Sequence, residues 1–209
     1  MIPNMVVSSY RRPRSKVLEA LQVATAADLV RREMDEVRIP CVSHVRFGRG
    51  AFAILGGLPG AGKSTLALRW LNSIEGAVVY YAAEESLGTL GERLKRAGVT
   101  RENFYVVGRC SVDELAEVCA KSKAHALVID SLNETAFTTG EVRTFIDNTK
   151  IPLCLAVLQV PKDKDSPLGN ASDLLHEADV LVKVAYQRWE VFKSRYQELS
   201  DDLRGEVAM

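Results

Sequence analysis

Residues 57 to 64 read Gly-Leu-Pro-Gly-Ala-Gly-Lys-Ser. This octet fits G-x-x-x-x-G-K-[ST], a loop that cradles phosphate groups. The chemistry follows from the residue types. Gly57, Gly60 and Gly62 let backbone N–H groups turn inward around anionic oxygens, with Leu58, Pro59 and Ala61 between them. Lys63 reaches the β and γ phosphates, and the Ser64 hydroxyl is placed to ligate Mg²⁺. Thr65 continues into a helix whose N-terminal end is electrically positive.

Further polar residues stand at the ends of apolar runs. Asp130 closes Ala126-Leu127-Val128-Ile129; alone it would read as a strand-end cap, but with the phosphate loop earlier in the chain the favoured reading is a carboxylate that holds the shell of a Mg²⁺ ion. Glu84 and Glu85 follow Val78-Val79-Tyr80-Tyr81. A carboxylate there can orient or deprotonate an attacking water, although two solvated acids opening a helix would look the same. The Tyr80-Tyr81 strand is expected beside the strand that carries the phosphate loop. Gln159 ends Leu153-Cys154-Leu155-Ala156-Val157-Leu158, where a neutral amide can bond a terminal phosphate or the water, although a plain polar strand end would look the same.

The elements that must position these groups alternate regularly. Ala51–Leu55 is a short apolar strand before the loop, and Thr65–Leu71 has helical spacing after it. Strands over Val78–Tyr81, Phe104–Val107, Ala126–Ile129 and Leu153–Leu158 are separated by helical stretches. S-x-x-E at Ser111–Glu114 and T-x-x-E at Thr138–Glu141 are capping boxes that open two of the helices. Such alternation predicts an α/β fold: a mostly parallel, twisted sheet with helices on both faces. Val180–Val184 and Trp189–Phe192 alternate apolar and polar residues around a short turn, which predicts a hairpin at the sheet edge. Val17 to about Glu36 reads as helical, with Thr25–Asp28 as a cap. Residues 1–45 form a basic arm and helical segment, 46–197 the core, and 198–209 an acidic tail.

Composition sets mild bounds. The 209 residues carry no formal net charge, so the molecule as a whole is not a polycation built for nucleic acid. Arg11, Arg12, Arg14 and Lys16 form a basic stretch, read either as a solvated tail or as an arm touching DNA. The four cysteines include no C-x-x-C pair, which argues against structural zinc and a disulfide framework. With no signal peptide and no apolar run long enough to cross a bilayer, the expectation is a soluble, cytoplasmic protein with no membrane partner.

As an ordered set the motifs resemble the RecA-type ATPase core, in the branch of RadA/Sms and the DnaB-type helicases. The carriers are Val78 to Ser86, Val128 to Ser131, Gln159, and Lys193-Ser194-Arg195-Tyr196, beside V-L-Y-V-S-G-E-E-S, V-I-D-S and K-N-R-F-G in RadA. Residues 168–179 resemble the RadA stretch after its fifth strand. The likeness covers about residues 45 to 197 and implies ATP and Mg²⁺ as cofactors, with Mn²⁺ an alternative. It implies Glu84 as the catalytic glutamate, Gln159 as the γ-phosphate sensor, and Lys193 and Arg195 acting on ATP bound to a neighbouring subunit. Lys162 and Lys164 would touch DNA. The chain departs from the family at Tyr196-Gln197, in the alternating charges of Lys162-Asp163-Lys164-Asp165, and in having no four-cysteine module.

The resulting expectation is an ATP-dependent, ring-forming ATPase that handles single- or double-stranded DNA as a helicase or recombination motor. The two-residue spacing of Lys193 and Arg195 puts both cations on one face, where an anion must sit opposite. Phosphates held by a neighbouring copy would supply it in a closed ring, expected to be a hexamer. Two rival readings stand beside this one. Glu84, Glu85, Asp130, Asp163 and Asp165 could hold Mg²⁺ or Mn²⁺ and cleave DNA on a RecA-like ring. A KaiC-like nucleotide switch would bind a protein and no DNA.

Overall fold

The computed structural model describes residues 26–30, 33–135, 137–160 and 176–207. The chain divides into two units, Met1–Met34 and Asp35–Met209. In the first, α1 (Ala26–Val30) is a short helix. The helical expectation does not extend to Glu36: Glu36–Val37 is a strand, β1, paired antiparallel with β2 (Phe47–Gly48).

The second unit is built on an eight-stranded sheet. In chain order its elements are β3 (Ala51–Gly57), α2 (Lys63–Asn72), β4 (Ala77–Ala82), α3 (Leu87–Arg96), β5 (Phe104–Val107) and α4 (Val112–Ser122). They continue with β6 (Ala124–Asp130), α5 (Thr139–Thr149), β7 (Leu153–Gln159), β8 (Val180–Ala185), β9 (Arg188–Ser194) and β10 (Arg204–Glu206). The spatial order is β10-β9-β8-β3-β7-β6-β4-β5. From β8 to β5 all neighbours are parallel, while β9 and β10 are antiparallel additions. This is the mostly parallel α/β sheet with helices on both faces that the alternation predicts.

The buried side chains separate by strand parity, as the pleat requires. Ala51, Ala53 and Leu55 face one core with Leu66, Trp70 and Leu71 of α2 and Leu90 of α3. Phe52 and Ile54 face the other, with Leu115 and Cys119 of α4 and Val142, Phe145 and Ile146 of α5. Trp70 packs edge-on against Trp189 of β9 at 5.2 Å and against Phe47 of β2 at 6.2 Å. Truncating such a fully buried indole costs about 3–5 kcal/mol. Both predicted capping boxes are present: Ser111 and Glu114 open α4, and Thr138 and Glu141 open α5.

Two expectations about arrangement change. β4 does not lie beside the phosphate-loop strand; β7 and β6 stand between them. The chain crosses over two strand positions after α2 and fills the gap later, which local sequence does not encode. The hairpin β8–β9 forms, but β8 pairs with β3 and β10 takes the outer edge. Arg204–Glu206 thus belongs to the sheet, with Leu203 and Val207 buried on either side, although acidic residues mark this stretch as solvated.

Candidate nucleotide-binding and hydrolytic site

The phosphate loop runs from the end of β3 to the start of α2. Two glycines are required by its shape. A Cβ on Gly57 would stand 2.1 Å from the Val184 carbonyl oxygen. Gly62 caps α2 at φ 96°, a left-handed conformation that side chains disfavour. Lys63 is buried, and its Nζ donates to the carbonyl oxygens of Gly57 at 2.9 Å and Leu58 at 2.7 Å. The lysine is therefore folded into the loop rather than standing in solvent. Burial lowers its pKa, against the opposing fields of Asp130 and Glu84.

A cleft of ≈ 430 Å³ opens here, lined by Gly60, Lys63, Ser64, Thr65, Glu84, Glu85, Arg93, Arg96, Asp130 and Gln159 among others. The parallel strands explain the convergence. β3, β7, β6 and β4 point the same way, so the residues at their C-terminal ends share one edge. Glu84 therefore reaches this edge even though β4 is not next to β3.

Gln159 Nε2 donates to both oxygens of Glu84, at 2.8 and 2.7 Å. Gln159 is itself held by Asn133, whose Oδ1 accepts the Gln159 N–H at 2.8 Å and whose Nδ2 donates to the Gln159 carbonyl at 3.3 Å. Nothing in the local sequence marks Asn133, which meets Gln159 only because the loop after β6 lies beside β7.

The tandem glutamates face different partners. Glu85 turns to Arg93, 2.7 Å away, and Arg93 also lies 3.5 Å from Asp130. The Arg93–Glu85 contact is an ion pair without hydrogen-bond geometry, so Glu85 Oε1 is buried with no hydrogen-bond partner. Burial raises the Glu85 pKa, partly offset by Arg93. Asp130 accepts a hydrogen bond from the Tyr80 hydroxyl. Burial first, and then the Asp130 charge, push that phenol well above its usual range. Local sequence marks neither Arg93 nor Tyr80 as part of the site, since each acquires its partner only when the helix after β4 and the end of β6 meet.

The donor set fits a hard divalent cation: the Ser64 hydroxyl and the Asp130 carboxylate line the same cleft as the phosphate loop. Among the described residues no three His, Cys, Asp or Glu side chains gather as a metal-binding group. Glu84, Glu85 and Asp130 thus do not make a nuclease-type cluster by themselves, and Asp163 and Asp165 lie outside the described residues. So do Lys162 and Lys164.

Lys193 and Arg195 are not brought to this cleft. Lys193 pairs with Leu181, and Leu181 lies beside Ile54, three residues before Gly57. Lys193 thus stands level with the middle of β3, and Arg195, whose N–H donates to the Asp179 carbonyl beside Phe52, lies toward the end of the sheet away from the loop. The anion facing them is in the same chain, which corrects the premise that only a neighbour could supply it. Arg195 Nη1 contacts Asp179 Oδ1 at 3.0 Å and its Nη2 donates to the His176 carbonyl at 2.6 Å. Lys193 donates to the Ala178 carbonyl at 2.9 Å. Asp179 is buried, and its Oδ2 also accepts from the Phe52 N–H at 2.9 Å and from Arg143 at 2.8 Å. Burial, with Asp179 adding to it, drives the Tyr196 phenol up to about 12.

No helix among the described residues is long and apolar enough to cross a membrane. No protein-family model matches the chain. It is similar to the DNA repair protein RadA of Aquifex aeolicus, 33% identical over 43% of this chain and 20% of that protein. RadA of Escherichia coli is 32% identical over 40% and 18%, and RadA of Listeria monocytogenes 30% identical over 69% and 32%. The chain thus spans a fifth to a third of these relatives. Among solved structures, the flagellar accessory protein FlaH of Methanocaldococcus jannaschii superposes at TM-score 0.60 with 10% identity, covering 82% of this chain and 93% of that one. That likeness shows the fold.

Proposed function

We propose that this chain is a Mg²⁺-dependent ATPase that assembles into a ring and works on DNA. The observation that carries the ATPase reading is the Glu84–Gln159 contact in the cleft that also holds Lys63, Ser64 and Asp130. A loop that binds the triphosphate, a carboxylate for the water and an amide able to read the terminal phosphate are the parts hydrolysis requires. Glu84 orients the water and accepts its proton as the water oxygen bonds to the γ-phosphorus. The bond to the β–γ bridging oxygen breaks, leaving ADP and phosphate. Lys63 and the loop N–H groups offset the charge that develops. Mg²⁺, held through Ser64 and Asp130, would neutralise charge on the β and γ oxygens.

The DNA-directed part of the proposal rests on similarity to RadA, named as a DNA repair protein. The ring rests on Lys193 and Arg195, which lie too far along the sheet to serve their own chain's loop and would serve a neighbour's. The test measures ATP hydrolysis with and without single-stranded and double-stranded DNA, alongside sedimentation with ATP and Mg²⁺. DNA-stimulated hydrolysis by a closed oligomer is expected. Hydrolysis indifferent to DNA would favour a nucleotide switch, and DNA cleavage with Mn²⁺ in the absence of ATP would favour a nuclease.

A further inference from the structure

The turn between β8 and β9 stands out on backbone and exposure together. Tyr186 and Gln187 both have positive φ, 49° and 61°. Two-residue hairpin turns of this kind favour Asn-Gly, because bulky residues disfavour positive φ. Tyr186 is also 93% exposed, so its ring is not packed into the core. A large aromatic thus occupies a conformation suited to glycine without being buried.

Its location gives this meaning. Tyr186, Ala185 and Gln187 line a pocket of ≈ 250 Å³ whose other wall is Leu58, Pro59 and Ala61 of the phosphate loop. The strand order places this turn on one flank of β3 and Gln159, Glu84 and Asp130 on the other. A nucleotide whose terminal phosphate points to Glu84 and Gln159 therefore extends its sugar and base toward the β8–β9 turn.

We infer that Tyr186 is the stacking platform for the nucleobase, and that the pocket holds adenine and guanine alike. This assignment rests on the nucleotide-binding reading of the phosphate loop. Stacking is base-tolerant, because every base has a π-face. The wall opposite is apolar in its side chains. A site discriminates strongly only where a polar group would be left unpaired by the wrong ligand. The pocket therefore does not confine the substrate to ATP, and GTP binds beside it.

The test titrates wild type, Tyr186→Ala and Tyr186→Phe with ATP, GTP and inorganic tripolyphosphate, which has phosphates and no base. Wild type should bind ATP and GTP within about tenfold of each other. Tyr186→Ala should weaken both by roughly 5- to 150-fold and leave tripolyphosphate affinity unchanged, while Tyr186→Phe retains both. In Tyr186→Trp, ATP and GTP should quench the new exposed indole, and tripolyphosphate should not. Unchanged ATP affinity in Tyr186→Ala, or equal loss for tripolyphosphate, overturns the platform. A hundredfold preference for ATP over GTP overturns the purine tolerance. If wild type bound ATP and GTP but not tripolyphosphate, the platform would stand and the phosphate-loop reading would fall; if it bound none of the three, both would fall.

Discussion

Gln159 donates to both carboxylate oxygens of Glu84, at 2.8 and 2.7 Å, across the C-terminal ends of β7 and β4. The contact joins the two strands on either side of the Asp130 strand. The adjacent Glu85 turns instead to Arg93, so the two glutamates have different partners.

Glu84→Gln should keep nucleotide affinity and slow hydrolysis by roughly 10²–10⁴-fold, because it removes the proton acceptor and keeps the shape. Glu85→Gln should slow hydrolysis far less. Single-turnover phosphate release on both variants distinguishes them; a larger loss at Glu85 would assign the water to the wrong carboxylate.

Arg93→Ala should lower hydrolysis by about 10–100-fold with nucleotide binding retained, because Arg93 pairs with Asp130 and holds its carboxylate in the cleft. Steady-state rates across a Mg²⁺ titration, beside a nucleotide-binding titration, check this. An unchanged rate would reduce the pair to a surface contact.

Lys63→Ala should abolish productive ATP binding. It should also cost some stability, about 1–3 kcal/mol, because it strips hydrogen bonds from the Gly57 and Leu58 carbonyls. Calorimetric titration and chemical unfolding of the same preparation separate the two effects.

Asp179→Ala should destabilise the fold by about 3–5 kcal/mol, since Arg143 and the Phe52 N–H lose their buried acceptor. Arg195→Ala should cost under about 1 kcal/mol, because that side chain is half exposed and its ion pair is screened. In the ring proposal Arg195→Ala hydrolyses slowly on its own and regains activity when mixed with Lys63→Ala. No recovery despite demonstrated subunit exchange would remove Arg195 from the neighbouring site.

Acid should loosen α4 and α5 through their caps. Hydrogen bonds from the Ser111 and Thr138 backbone and side chains lower the pKa of Glu114 and Glu141. A carboxylate whose folded pKa is depressed stabilises above its unfolded value and loses that contribution as pH falls through the folded one. The pH dependence of unfolding below about pH 4.5 should therefore shrink in Glu114→Gln and Glu141→Gln; an identical acid limb in both would contradict the assignment.

Much of this arrangement is legible in the chain, and for local reasons. The phosphate loop, the capping boxes and the strand-end Asp130, Glu84 and Gln159 are marked by spacing within a few residues. Parallel strands then bring their ends together without further instruction. What local sequence does not mark depends on partners distant in the chain. Strand order is one case, with two strands standing between β3 and β4. Asn133 bracketing Gln159, Arg93 reaching Asp130, and Asp179 joining Phe52, Arg143 and Arg195 are others. Asp179 had one readable sign, an acid set between Ala178 and an apolar strand, where a buried charge needs paired partners. β10 was hidden because Arg204-Gly205-Glu206 has the composition of a solvated tail.

The most direct test of the central claim is phosphate release from saturating ATP and Mg²⁺ by wild type and Glu84→Gln, with ATP binding measured on both. Turnover by wild type, and intact binding with hydrolysis at least a hundredfold slower in the variant, is predicted. Equal rates in the two proteins, or no turnover by wild type with and without DNA, would contradict it.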